Sequence, residues 1–576
     1  MSKWRFRFLF AVPAAALIVL SCRVVYLQMC CGAELSRRAL RQQQRVIHLP
    51  ARPGNIFART RGGYTLLAGS GQTPSIFADP VLLGSEQFSQ AAEKVAVVLG
   101  CPPGELYDKI YERRDKRFAY LARDVTDSQA EAVGKLNIRA VQVVREWRRY
   151  YPSGSLAGQV LGFRLIDGQA GGGLELQADR WLAGRDGEKV IRCDAARRGR
   201  YAAVVEYHPP VDGKNVILTL DVSVQGFLED AINETAERFG AEAAMGVVMD
   251  PNTGAILALA SSPPFDPNQY RTTPSERRRC RAVTDPYEPG SVFKPFIAAG
   301  SVQMGQVSLE TVFYCHNGLY RAHRGGTIRD FTGTRLGRAP LSEILIKSSN
   351  IGMAKLGERM GNESLCRIAS AFGFGDQSGI DLPGECPGRL VHPRQWTGYA
   401  TRRMPFGQGP VMVTTVQLAG AFSAIANGGE LLRPRIIDRV IDADGKVLFE
   451  NRRHRVRRVL SSELSRQFID KVLVEVVRRG TGKRCQLDRW SVFGKTGTAQ
   501  IGGPGGYEDY AYTATFMGGA PASAPAVVCV ISIYRPDYGR GYTGGKVAAP
   551  CVRGVLEKTL AYLDIPPDKD LVADSR

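Results

Sequence analysis

Residues 245–260 read MGVVMDPNTGAILALA. Two runs rich in Val, Ile, Leu and Met flank PNTG, a four-residue turn, and this pattern predicts a β-hairpin. Working outward, NVILTLD (215–221) predicts a strand and VSVQGFLEDAINETAERFG (222–240) a helix, with Gly240 suited to its C-terminal cap. WSVFGKTGTAQ (490–500), YTATFMGG (512–519) and AVVCVISIY (526–534) are three more strand candidates, and APCVRGVLEKTLAYL (549–563) is a closing helix. About five strands joined mostly by turns, with terminal helices and a large helical insertion, predict an α+β domain: an antiparallel sheet flanked by helices.

The chain has 576 residues, room for three or four domains. Hydrophobic residues make up 44% and charged residues 23%, which excludes a disordered chain, a collagen-like fibre and a polytopic membrane protein. The net charge of +20 favours an anionic partner such as a lipid surface or polymer. No RNP motif, zinc-finger spacing or basic-region heptad is present, so nucleic acid is not expected. The twelve cysteines form no C-x-x-C pair, which removes zinc-ribbon and thioredoxin-like readings; disulfides and reduced buried thiols both stay open.

Lys3, Arg5 and Arg7 precede an apolar run from residue 8 to 27, broken only by Arg23. Twenty helical residues span about 30 Å, a bilayer core, so a signal-anchor helix is expected. A cleaved signal peptide would need fewer apolar residues. A lipoprotein site at Cys22 meets bulky Leu20 where a small residue is usual. Basic residues flank both ends (Arg37, Arg38, Arg41 and Arg45 beyond it), so charge alone divides on orientation. The predicted layout is a cytoplasmic tip and membrane helix (1–28), a basic stalk (29–48), a mixed α/β domain (49–212), the α+β domain (213–565) and a tail (566–576). HPP at 208–210 and Asp212-Gly213 punctuate the boundary between the two large domains.

Three short motifs carry the chemistry. In EPGSVFK (288–294), Pro289 and Gly290 break the chain before an apolar helical run, which puts Ser291 in a first turn and Lys294 on the same face. A serine hydroxyl needs a base, and a lysine serves only if burial or a second cation brings its pKa down from about 10.4. Alone, S-x-x-K also fits a surface lysine on an amphipathic helix. In Ser348-Ser349-Asn350, the outer members can aim a hydroxyl and an amide into one cleft, while serine equally suits a helix N-cap. In Lys495-Thr496-Gly497-Thr498, strand alternation points both threonines one way, and Gly497 permits close approach of a substrate; the alternative is a turn. Two hydroxyls and an ammonium make a carboxylate receptor. No histidine lies in any motif; the nearest to Ser291 are His316 and His323, so a Ser-His-Asp triad is unsupported.

S-x-x-K, S-x-N and K-T-G, in that order and widely spaced, resemble the active-site set of penicillin-binding proteins and serine β-lactamases. GVVMDPNTGAILALAS, RAVTDPYEPGSVFKP, LIKSSNIGMAKLG, FGQGPVMVTTVQLAGAFSAIANGGELLRP, FGKTGTAQ and GGKVAAP extend the likeness, so the second half resembles a class B penicillin-binding transpeptidase domain over nearly its full length. RPGNIFARTRGG, RRYYPSGSLAGQVLGF and GGGLELQADRWLAGRDG resemble the same family's elongated, non-catalytic pedestal, with Ala58 in place of a usual Asp; farther on, Cys280 stands where the family often has Asn. No glycosyltransferase signature of the E-D-x-x-F type is present, implying a monofunctional enzyme.

The resemblance implies that Ser291 attacks the penultimate D-Ala carbonyl of a peptidoglycan stem peptide and Lys294 takes its proton. Ser348 would relay a proton to the departing D-Ala, Asn350 would orient the acyl chain, and Lys495, Thr496, Gly497 and Thr498 would hold the terminal carboxylate. Backbone N–H groups of Ser291 and Thr498 would form the oxyanion hole. No metal or cofactor is implied. It further implies inhibition by β-lactams and single-pass anchoring in the cytoplasmic membrane with the catalytic domain outside. Its substrates would be stem peptides of a lipid-linked precursor, and its partners a SEDS-type glycosyltransferase and divisome proteins. SSNIG and the absence of a large insertion resemble the division type; the elongation type, which often has Asp at the position of Asn350, is the alternative. A β-lactamase or β-lactam sensor shares the fold, and a scaffold with vestigial catalysis is opposed by the intact motif residues.

Overall fold

A computed structural model describes residues 3–193, 199–322, 326–331, 335–503 and 506–569. Residues 570–576 of the expected tail lie outside them. The chain divides into two compact units, Met1–Pro53 with Ala183–Gly213, and Gly54–Leu182 with Lys214–Arg576.

The first unit begins with the helix Lys3–Met29. Its apolar part, Phe6–Met29, has a mean hydropathy of 2.3, and none of its residues is buried. Twenty-four residues rise about 36 Å, enough to cross a bilayer core of about 30 Å. A second helix, Gly32–Gln43, leads into a three-stranded antiparallel sheet in which Gly187–Cys193 lies between Gln44–Leu49 and Gly199–His208.

The second unit contains two large sheets. In the seven-stranded one, the long strand Gly63–Ala78 pairs with Ile56–Thr60, Ala119–Ala122 and Val141–Tyr150. Asn215–Asp221 joins this sheet, parallel to Ile56–Thr60 and antiparallel to Ile437–Ile441. Six of its seven residues are buried, as in a strand covered on both faces, and its partners are set by the rest of the chain. Ala58 is fully buried in Ile56–Thr60, so an apolar contact stands where the pedestal signature usually has a carboxylate.

The other sheet is the predicted one. Helix α1 (Val222–Phe239) starts at Asp221, whose carboxylate accepts from Ser223 and Val224 N–H, and ends at left-handed Gly240. Strands β1 (Ala243–Met249) and β2 (Ile256–Ser262) form the hairpin. Helices α2 (Lys294–Gln303) and α3 (Asn350–Ala371) belong to the insertion. Strands β3 (Phe493–Gly503), β4 (Gly506–Ala520) and β5 (Val527–Tyr534) and helix α4 (Ala548–Tyr562) close the domain. The order β2-β1-β5-β4-β3 is antiparallel throughout and leaves β3 at an edge.

Every residue of β1 is buried, and its period-2 alternation separates two cores. Ala244, Val248, Cys529 and Ile531 face Leu228 and Ile232 of α1 and Val552 and Leu556 of α4. Met245, Val247, Val528 and Val530 face the other way, into a core with Phe293, Phe296 and Phe422. Each fully buried large side chain contributes about 1.5–3 kcal/mol. The second core therefore holds the Ser291 turn, through its neighbour Phe293, firmly against the sheet. Every cysteine with a described side chain is a free thiol.

Candidate active site

Gly290–Phe293 forms a single 3-10 turn, entered through Gly290 at φ +60°, and α2 follows at once. Ser291 thus sits just ahead of the helix, and its carbonyl accepts the Lys294 N–H. Val292 and Phe293 are fully buried, which fixes the turn and leaves Ser291 half-buried on the wall of a cleft of about 580 Å³. Ser348, Asn350, Thr496 and Thr498 line the same cleft. Lys294 and Lys495 lie fully buried beneath its surface. On β3, a Cβ at Gly497 would come within 2.8 Å of Val292 Cγ1 and 3.1 Å of Pro289 O. This glycine lets the Ser291 turn pack on the edge strand, a contact within the protein rather than with a substrate.

Serine takes both of its predicted parts here, at different positions. Ser349 is the N-cap of α3, accepting from Gly352 N–H at 3.0 Å. Ser348 stands before the helix at φ +60°, a backbone region that costs a non-glycine residue about 1–3 kcal/mol and clusters at functional sites. Asp330 holds the turn in place. It accepts from Ser349 Oγ at 2.8 Å, Asn350 N–H at 2.6 Å and Ile351 N–H at 3.0 Å, where the helix dipole favours a negative charge.

The two lysines meet at Ser348. Lys294 Nζ lies 2.6 Å from the Ser348 carbonyl, 2.8 Å from Asn350 Oδ1 and 3.2 Å from Ser348 Oγ. Lys495 Nζ donates to Ser348 Oγ at 2.9 Å and to Thr496 O at 3.0 Å. Among the described residues, neither amine has a carboxylate within ion-pair distance. Burial brings the Lys294 pKa down to about 7, opposed by the negative charge of Asp330. Lys495 is pushed well below the ordinary lysine range, first by burial and then by the neighbouring Lys294. A neutral amine has two N–H donors. The two carbonyl acceptors use both on Lys294, so its lone pair is left for a hydroxyl proton.

The structure thus brings Lys294, Ser348, Asn350 and Lys495 into one hydrogen-bonded cluster and sets Ser291, Thr496 and Thr498 around the cleft above it. The Ser291 hydroxyl has no hydrogen-bond partner among the described residues, and catalytic contacts often tighten only when substrate is bound. Lys495 is absent from the cleft lining and acts on it from behind. No described histidine lines the cleft; His316 stacks on Tyr320, and His323 lies outside the described residues. The sequence reading missed Asp330, which lies 19 residues from its serine partner and follows no motif. It also missed Thr481, which hydrogen-bonds Thr496 across the cleft wall.

Residues 244–557 match the family described as penicillin binding protein transpeptidase domain, and residues 48–164 match the penicillin-binding protein dimerisation domain. The chain belongs to the penicillin-binding protein transpeptidase family. It is 32% identical to the probable peptidoglycan D,D-transpeptidase PenA of Neisseria gonorrhoeae, over 99% of this chain and 95% of that protein. It is also 32% identical to the peptidoglycan D,D-transpeptidase FtsI of Escherichia coli K12, over 98% and 93%. The crystal structure of penicillin binding protein 3 from Mycobacterium tuberculosis, complexed with aztreonam, superposes with a TM-score of 0.69 at 28% identity, covering 91% of this chain and 99% of that one.

Proposed function

We propose that this protein is a serine D,D-transpeptidase that cross-links peptidoglycan stem peptides through an acyl-enzyme on Ser291. The observation that carries the reading is the buried Lys294–Ser348–Lys495 cluster, two amines without a counterion beneath a cleft that carries a serine. Neutral Lys294 takes the proton as Ser291 Oγ bonds to the penultimate D-Ala carbonyl carbon. The oxyanion is met by the N–H groups of Ser291 and Thr498, each such donor being worth about 2.7–4 kcal/mol in other acyl-transfer enzymes. Ser348, hydrogen-bonded to both amines, passes a proton to the departing D-Ala nitrogen as the C–N bond breaks. Thr496 and Thr498 bind the terminal carboxylate, with Lys495 behind them, and Asn350 steers the acyl chain. An amine of a second strand then resolves the ester.

The division-type role is the finer reading, supported by SSNIG and by the alignment with FtsI over nearly the whole chain. The exposed apolar helix supports single-pass anchoring in the cytoplasmic membrane with the catalytic unit outside. A SEDS-type glycosyltransferase and divisome proteins are the partners that fit this reading. Fluorescent penicillin tests the chemistry: it labels the wild type and not Ser291→Ala, and equal labelling of both overturns the assignment. A tagged, complementing copy at midcell supports the septal role; dispersed lateral patches support elongation.

A further inference from the structure

Lys483, Arg484 and Lys546 stand exposed on one rim of the cleft, with half-buried Lys347 beside them. No carboxylate lines this cleft, and none of the four cations has an ion-pair partner among the described residues. General basicity does not account for this. A few residues away, Arg478 pairs with Glu475, and Arg479 pairs with both Glu475 and Glu343. The unpaired cations share one position relative to the chemistry. Thr481, two residues before Lys483, and Gly545, next to Lys546, pack on Thr496: the Thr481 and Thr496 hydroxyls are hydrogen-bonded, and a Cβ at Gly545 would lie 3.5 Å from Thr496 Cγ2. They therefore lie beyond the terminal-carboxylate end of a bound donor, on the side where the D-Ala leaves. Arg484 and Lys546 also line a separate cavity of about 480 Å³ between α1 and α4, whose far wall carries Asp230 and Glu234.

An incoming amine attacks the acyl carbon along the path by which the leaving amine departed, so the body of the second substrate lies on this side. We propose that Lys483, Arg484 and Lys546 form the docking rim for the acceptor strand and select an amine-bearing peptide by carboxylates carried along its chain. This inference rests on the transpeptidase reading. In the step it serves, the acceptor nitrogen bonds to the acyl carbon, the C–Oγ bond of Ser291 breaks, and the amine proton returns to Ser291 Oγ. The cations touch none of these atoms; they set the acceptor's position and KM.

The test uses the full chain in detergent with a D-Ala-D-Ala donor peptide. Two acceptors are compared: one peptide with two free carboxylates and the same peptide with both converted to carboxamides. Rates are taken per enzyme titrated with penicillin, so misfolded protein does not count. The wild type is expected to favour the carboxylate acceptor at least tenfold in KM at low salt. The preference should shrink as salt rises and fall below twofold in Lys483→Gln/Arg484→Gln/Lys546→Gln. Equal use of both acceptors by the wild type, or an undiminished preference in the triple variant, overturns the proposal. If the triple variant does not titrate, the three single variants decide: each should lower the preference about twofold or more, and no change in any of them overturns it. A wild type that penicillin fails to titrate defeats the transpeptidase reading itself, a separate and recognisable failure.

Discussion

Charge is buried at two places in the second unit, under opposite rules. Glu175 is fully buried and grips Arg149 and Arg164, each only 3% exposed, with Arg164 also held by Asp179 at 2.6 Å. Arg149 donates further to Gly54 O and Ser70 Oγ. Here each buried charge has an opposite charge in contact, and the guanidinium forks tie Gly54, Val141–Tyr150 and the segment around Glu175 into one piece. At the cleft, Lys294 and Lys495 are as deeply buried and have only carbonyl, amide and hydroxyl partners. Pairing keeps a buried group charged and makes it structural. Leaving it unpaired drives off the proton and makes a base, at a cost to stability. Taking Lys294 from an unfolded value of about 10.4 to about 7 costs the folded state several kcal/mol at neutral pH, at 1.36 kcal/mol per unit.

The comparison breaks if the two clusters respond alike to mutation. Lys294→Met is expected to lower the rate of acylation by penicillin about 10²–10⁴-fold, the usual contribution of a general base. The same change should leave the fold intact and raise stability by about 1–4 kcal/mol in denaturant unfolding at neutral pH, because it removes a buried amine that the folded state holds largely deprotonated at a cost. Glu175→Leu should do the reverse. Stranding two buried guanidiniums costs about 3–5 kcal/mol, while acylation per penicillin-titrated enzyme stays near the wild-type rate. A Lys294→Met protein less stable than the wild type would contradict the view that function, and not folding, keeps this lysine buried.

What the sequence exposed and what it hid follow the same line. Ser291 and Lys294 share one short run, and Thr496 and Thr498 one strand, so spacing alone put each pair on a common face. The hairpin around PNTG and the C-terminal cap of α1 were legible because they are local. The burial of Lys294 was legible only as a chemical requirement, and that of Lys495 was not legible at all. Both are created by packing of Val292, Phe293 and β3, and the meeting at Ser348 joins positions 54 and 147 residues apart. Nothing in GGGLELQADRWLAGRDG marked Glu175 as a buried ion-pair partner, since its arginines lie 26 and 11 residues away. Asn215–Asp221 was rightly a strand, but a run buried on both faces carries no alternation to say which sheet receives it.

The smaller effects sharpen the contrast through pH. With neutral Lys294 as the proposed base, penicillin acylation should rise tenfold per pH unit on the acid side and level off above about pH 7. Stability should rise with pH over the window from about 7 to about 10.4, because there the unfolded lysine binds a proton that the folded one does not. Glu175→Leu should leave the acid limb where it is. Asp330→Asn should move it. The Asp330 charge favours protonated Lys294, so its removal lowers the lysine pKa further and shifts the limb to more acidic pH. An asparagine still accepts hydrogen bonds at the α3 terminus, so only about 0.5–1 kcal/mol of the charge–dipole contribution is lost. Stopped-flow acylation between pH 5 and 9 measures the limb. A shift toward alkaline pH would mean that Asp330 acts on Lys294 through the position of Asn350, not through its charge.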